Sequence, residues 1–188
     1  MRDGRETAIL DACVLYPAEI RDLLLYLAKY RFYDAKWTSE ILRERERALR
    51  TRRKDLSESQ ITSATFAMNE VFPGALVKID PTISPNTLPD VNDLHVLVGA
   101  MSCQATVIVT LNLKDFPMGI LSRYGIRAEH PDTFCAKLIK RDQRVALAAF
   151  LQQVSNLKRP AMSPEQIVKR LAKLRMLETA GLLKGLLN

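Results

Sequence analysis

The sequence predicts an α/β domain with a central parallel sheet, followed by a helical C-terminal extension. Short β-branched or aliphatic runs alternate with longer stretches of helical periodicity up to about residue 130. From about Pro131 the pattern is helical only. At 188 residues, with 47% hydrophobic and 26% charged residues, the chain has the composition of a globular protein and the length for one core with an appendage. These values exclude a disordered or fibrous chain. The reading divides the chain into residues 1–136, the sheet domain, and 137–188, the extension.

Taken in order, Thr7-Ala8-Ile9-Leu10 reads as the first strand, ending at Asp11. Pro17 opens a helix whose Ile20, Leu23, Leu24 and Leu27 recur at helical spacing. Thr38 or Ser39 caps the next helix, and Ser57 or Ser59 caps a third that runs through Met68 to a stop at Phe72-Pro73-Gly74. Ala75 to Ile79 reads as a strand. Asp90 begins a fourth helix, to about Gln104, which feeds the strand Thr106 to Thr110 and a loop from Leu111 to Pro117. A short helix and a strand over Ile126 to Glu129 complete the domain. The helical extension is expected to break near Ser155 to Pro160 and at Gly181.

The apolar runs fall far short of the roughly 18–20 residues that a membrane span needs, and the N-terminal residues lack the apolar core of a signal peptide. A cytoplasmic protein is expected. Cys13, Cys103 and Cys135 form no CxxC pair and suit reduced, buried thiols. Charge is segregated: residues 1–136 carry a net charge of −1 and residues 137–188 a net charge of +8. A second basic cluster covers Arg43, Arg45, Arg47, Arg50, Arg52, Arg53 and Lys54. Such surfaces attract polyanions such as RNA, although Glu/Arg pairing along a solvated helix accounts equally for the second cluster.

A parallel sheet presents the carboxyl ends of its strands to one crevice, where ligands bind. Asp11 ends the first strand, Asp115 follows the strand that ends at Thr110, and Asp90 and Asp93 open the intervening helix. Ile41, Leu42, Ala48 and Leu49 mark the buried side of the Thr38 helix, with Glu44 at its flank and Glu40 farther round. Carboxylates gathered together raise one another's pKa unless a cation or shared protons compensate, and all-oxygen ligands suit Mg²⁺ or Mn²⁺. Singly, Asp90 reads equally as an N-cap, Asp11 as a strand terminus and Asp115 as a turn residue. At 100° per residue His95 faces away from Asp93, as a core or hydrogen-bonding residue, and His130 reads as a loop residue.

Together these segments resemble the PIN-domain ribonucleases, and in particular the VapC-like toxins of type II toxin–antitoxin pairs. AILDACVLYP is similar to the family's opening strand with its metal-binding aspartate at Asp11, and TSEILRERERAL to the helix that delivers a glutamate at Glu44. PDVNDLHVLVGAM resembles the Asp-x-x-Asp segment, placing the third acid at Asp93 with Asp90 as auxiliary. VIVTLNLKDF resembles the last motif, with the fourth acid at Asp115 and supporting polar groups at Thr110 and Asn112. Arg45 stands where the family usually has an apolar residue, which leaves Glu40 as the other candidate for the glutamate.

The resemblance implies a PIN-like three-layer fold, with the helical extension of a longer subgroup. It implies Mg²⁺- or Mn²⁺-dependent cleavage of RNA by Asp11, Glu44, Asp93 and Asp115, with Arg43, Arg47, Arg50, Arg53 and Lys54 and the basic C-terminal tail on the flanking phosphates. A cognate antitoxin and a homodimer are the implied partners, and no membrane. The alternative is a PIN-like RNA-binding or partner-binding module that does not cleave. A receiver-like domain is disfavoured by Ala12-Cys13 after Asp11, a haloacid-dehalogenase-like phosphatase by Cys13, and a nucleotide-binding fold by the lack of a Gly-rich loop.

Overall fold

The computed structural model describes residues 4–85, 88–157 and 160–188. The chain divides into two compact units: residues 1–16 with 34–129, and residues 17–33 with 130–188. Among the described residues no helix is long and apolar enough to cross a membrane.

The first unit is α/β and PIN-like. Its sheet holds β1 (Thr7–Leu10), β2 (Asp34–Lys36), β3 (Val107–Val109) and β4 (Arg127–Glu129), all parallel, in the order β2-β1-β3-β4. Ala8 pairs with Ala35 on one side and with Val107 on the other. The two central strands are buried on both faces, so their sequences are unbroken apolar runs rather than alternating ones. Around the sheet lie the short α1 (Ala12–Leu15), α3 (Ser39–Arg52), α4 (Glu58–Val71), α5 (Leu94–Ser102) and the one-turn α6 (Met118–Leu121).

Local chemistry explains the helix starts. Thr38 Oγ1 accepts from Ile41 N at 3.1 Å. Ser57 and Gln60 form a reciprocal capping box at the head of α4, which removes two unpaired amides at once. The expected strand over Ala75 to Ile79 forms only a single parallel bridge, Trp37 with Leu76. Ala75 is buried there, but Leu76 and Ile79 are 44% and 41% exposed, so the run lacks the two-sided burial that would extend the pairing. The strand that the sequence hides is β2: three residues, only Ala35 buried, leave no periodic signal.

The second unit is helical: α2 (Ala18–Lys29), α7 (Pro131–Arg141), α8 (Gln143–Asn156), α9 (Pro164–Lys173) and α10 (Leu177–Leu186). Its core includes Leu23, Leu24, Leu27, Phe134, Phe150, Leu171 and Leu183. Tyr33 meets Phe134 edge to face at 4.9 Å and donates its hydroxyl to Leu24 O. His130, expected in a loop, caps α7 by accepting from Asp132 N at 3.2 Å, and Asp132 in turn accepts from the first amides of α10. The helix breaks differ from expectation. α10 runs straight through Gly181, which costs a helix only about 1 kcal/mol. The chain breaks instead at Asp142, which caps α8, and at Arg175, whose φ of +62° ends α9. The expected break near Ser155 to Pro160 follows the end of α8 at Asn156, and residues 158 and 159 within it lie outside those described.

One position in the first unit is sterically fixed. A Cβ added at Gly99 of α5 would stand 2.6 Å from Thr38 Cγ2 and 2.7 Å from Ile9 Cδ1. Both partners are packed side chains, so Gly99→Ala is expected to destabilise the protein by roughly 1–3 kcal/mol, measured by thermal or urea unfolding. Gly185→Ala, whose Cβ meets nothing within 4 Å, is the control and should leave stability unchanged or raise it slightly.

Candidate active site

Asp11 follows the last residue of β1, and its amide is held by Val109 O of β3 at 3.1 Å. The residue is 3% exposed. Burying a carboxylate is costly unless hydrogen bonds satisfy it, and Thr110 Oγ1 donates to Asp11 Oδ2 at 2.7 Å while Cys13 Sγ donates to the same oxygen at 3.0 Å. Oδ1 accepts no hydrogen bond among the described residues. Thr110 is oriented in its turn by Asn112 N, which donates to its hydroxyl oxygen at 3.0 Å. Asn112 thus acts through its backbone amide, whereas the resemblance implied a supporting polar group without saying which.

The other acids arrive on separate elements. Asp90 Oδ1 accepts from Asn92 N and Nδ2 at 2.9 Å each, capping a 3-10 turn over Val91–Asp93. The helix expected from Asp90 therefore begins only at Leu94, with Asp93 at its N-cap position. Asp115 closes a second 3-10 turn, Leu113–Asp115, past the end of β3. α3 presents both Glu44 and Glu40 half-buried, but Glu40 is held by Arg43, whose guanidinium lowers the Glu40 carboxyl below its ordinary range.

Asp93 is where these placements meet. Partial burial pushes its carboxyl up to about 6, and the fields of Asp11, Asp90, Asp115 and Glu44 push in the same direction. The five acids named from the sequence therefore act on one another electrostatically. They do not form a closed cage: among the described residues, no three His, Cys, Asp or Glu side chains stand close enough together to hold a metal ion. The donor set itself, all carboxylate, with Asp11 Oδ1 accepting no hydrogen bond among the described residues and the Asp93 pKa raised, has the chemistry of a site for a hard divalent cation.

Two residues have contacts at the site that the sequence did not assign to them. His95 Nδ1 donates to Asn92 O at 2.7 Å, and Nε2 stands 3.4 Å from Glu44 Oε2, an ion-pair separation outside hydrogen-bond geometry. Burial alone would lower the imidazole pKa, but Glu44, the Asn92 carbonyl and Asp11 outweigh it and hold it above its ordinary value. The helical wheel placed His95 opposite Asp93 because it assumed one continuous α-helix, and the intervening 3-10 turn changes the phase. Cys13 bridges Asp11 and the start of the Leu111 loop, accepting from Leu111 N at 3.2 Å, and burial and then Asp11 drive its thiol pKa far up, so it stays protonated. Its position two residues after Asp11 was the available signal.

Arg45 takes the apolar seat of α3 literally: it is 2% exposed, donating from Nε to Leu15 O at 3.0 Å and from Nη1 to Thr65 Oγ1 at 3.3 Å. The long apolar stem fills the seat while the guanidinium finds acceptors. Of the five residues expected to grip phosphates, Arg43, Arg50 and Arg53 are in ion pairs with Glu40, with Glu46 and Glu58, and with Asp55 respectively. Lys54 donates to Arg50 O, and Arg47 lies exposed in the field of Glu40.

Residues 131–185 match the family model described as the VapC50 C-terminal domain. A segment of 97 residues is 36% identical to a Mycobacterium tuberculosis protein named "Putative ribonuclease VapC50", covering 47% of this chain and 57% of that protein. The chain thus spans little more than half the length of the curated relative it matches. No solved structure matches the chain. A parallel α/β unit with acids near its strand ends, together with a separate helical unit, is consistent with a PIN-like fold and a C-terminal helical region. With these two matches, the chain is similar to a VapC-type protein over part of its length, and residues 131–185 are similar to the VapC50 C-terminal domain.

The raised Asp93 pKa sets a pH dependence. The folded state keeps a proton that the unfolded chain, with an ordinary carboxyl near 3.8, has already lost, so stability falls as pH rises from about 4 to about 6 and is flat above. Asp93→Asn removes the repulsion, and at neutral pH in EDTA it is expected to raise Tm by ~2–4 °C, about 1 kcal/mol after solvent screening, with no gain at pH 4. Scanning calorimetry at the two pH values measures this.

Proposed function

We propose that the protein is a metal-dependent endoribonuclease, hydrolysing RNA phosphodiester bonds as the toxin of a toxin–antitoxin pair in the cytoplasm. The observation that carries the reading is the convergence of Asp11, Glu44, Asp90 and Asp115 on Asp93. The name of the M. tuberculosis relative supports the same chemistry.

Asp11, Glu44, Asp93 and Asp115 would hold Mg²⁺ or Mn²⁺, with Asp90 auxiliary. When bound, such an ion neutralises the scissile phosphate and lowers the pKa of an attacking water. Thr110 and Cys13 hold Asp11 Oδ2, leaving Oδ1 for the ion. Asp93 gives up its proton as the ion binds, so binding weakens as pH falls below about 6. Glu44, oriented by His95, or Asp115 lines up the water. No covalent enzyme intermediate is required. A small antitoxin that lays an acid-seeking segment into the same crevice, and a homodimer, complete the reading. A module that keeps the acids without cleaving is the second reading, favoured by the open spacing of the carboxylates.

The test compares wild type with Asp93→Asn, purified identically, on total bacterial RNA with Mg²⁺, Mn²⁺ or EDTA. Cleavage is expected only with metal and should fall about 100-fold or more in the variant, the scale for losing one charged group at a reacting centre. Equal products from both proteins, or RNA binding without turnover, would sink the nuclease reading.

A further inference from the structure

The expected phosphate grip of α3 is partly occupied. Arg43 is paired with Glu40, Arg50 reaches both oxygens of Glu58 as well as Glu46, and Arg53 both oxygens of Asp55, while Arg47 and Arg52 are exposed and Lys54 donates to Arg50 O. Each pair must be opened before its guanidinium can meet a phosphate, and Glu40, Glu44, Glu46, Asp55 and Glu58 offset most of the positive charge of α3 and the turn after it.

The helical unit is different. α9 buries Ile167, Val168 and Leu171 and turns the opposite face outward. Lys169 and Lys173 lie four residues apart on that face, and Arg175 follows in the turn, where its positive φ ends the helix. All three are exposed. Neither Lys173 nor Arg175 is in an ion pair among the described residues, and Lys169 has only the distant field of Glu165, whose carboxylate is engaged by Ser163. Their neighbour Arg170 is tied to Glu19 and is not available. Beyond α9, the exposed Arg144 and Lys184 are likewise in no ion pair among the described residues. They adjoin in sequence Gln143 and Gly185, which line a groove with Gly181. A Cβ on either glycine would meet nothing, so the backbone there is open to close approach.

We propose that the α9 face, Lys169, Lys173 and Arg175, is a surface of this protein that grips the RNA phosphate backbone, in place of the paired Arg43, Arg50 and Arg53 of α3 and the turn after it. The ligand class rests on the ribonuclease reading. The contact is one of point charges with phosphates and carries no sequence preference. Its signature is counterion release: each phosphate neutralised on a single strand adds about 0.7 to the slope of log affinity against log salt.

The experiment uses the full chain carrying Asp93→Asn, in EDTA, with a single-stranded oligouridylate followed by fluorescence anisotropy from about 50 to about 200 mM salt. Lys169→Gln/Lys173→Gln/Arg175→Gln is expected to flatten the slope by about 2, whereas Arg43→Gln/Arg50→Gln/Arg53→Gln should leave it within about 0.5 of the parent. If the triple variant is unfolded by circular dichroism, Lys173→Gln alone should flatten the slope by about 0.7. An unchanged slope in the α9 variant overturns the proposal, as does a loss confined to the α3 variant. An unchanged slope with loss of polyglutamate binding would assign the surface to an acidic protein segment and overturn it too. Loss of Asp93-dependent cleavage in wild type with the slope result intact would remove the nuclease reading and leave the surface standing.

Discussion

Like charge held together against its own repulsion is the constraint around which the first unit is organised. A parallel sheet directs every strand's carboxyl end to one side, and here Asp11 follows β1 and Asp115 lies in the turn after β3, while Glu44 and Asp93 arrive on α3 and at the start of α5. Asp11 is the least negotiable of them. It is almost fully buried, yet it has the amide of Thr110's neighbourhood to support it only through a relay, Asn112 N to Thr110 Oγ1 to Asp11 Oδ2. That relay places the buried charge in a fixed direction and leaves the cost of accommodating the remaining acids to Asp93, the group whose pKa moves.

Arg45 shows the same economy from the other side. A guanidinium in an apolar seat is tolerated because its stem replaces the expected hydrophobe and its head finds Leu15 O, at the end of the short helix that follows Asp11, and Thr65 on α4. Removing one partner from such a buried arrangement is more damaging than replacing the whole arrangement by apolar groups. Thr65 passes the contact on to Glu46 at 2.6 Å, and Glu46 to Arg50, so the basic face of α3 is knitted into the scaffold. A helix whose cations serve its own structure is poorly placed to serve a polyanion, and the surplus positive charge of the chain lies elsewhere, in residues 137–188.

The central strands, the capped starts of α3 and α4 and the wholly helical C-terminal region were legible because each has a strong local cause: an apolar run, a hydroxyl at an N-cap, a 3.6-residue period. What was not legible lacked one. β2 is three residues long and owes its existence to pairing with β1. The Ala75 to Ile79 run has β-like composition but no second neighbour to pair with. At the site, carboxylates at strand ends could be named from spacing, because spacing and strand ends are local. His95 could not, since its direction depends on where a 3-10 turn hands over to α5. The pairs within α3, Glu40 with Arg43 and Glu46 with Arg50, follow from the helical spacing, whereas Glu58 lies on the next helix, so its pairing with Arg50 depends on how two helices meet.

The site depends on Asp93 being a carboxyl whose pKa is raised first by partial burial and then by its neighbours' charge, and whose proton is surrendered to a cation. Carbon-13 NMR of the Asp93 side-chain carboxyl, titrated in EDTA and again with excess Mg²⁺, reads this directly. The expected result is a midpoint near 6 without metal and a shift down by at least about one unit with it. A midpoint at the ordinary value near 3.8 in EDTA, unmoved by Mg²⁺, would contradict the account, because it would mean that the acids do not act on one another.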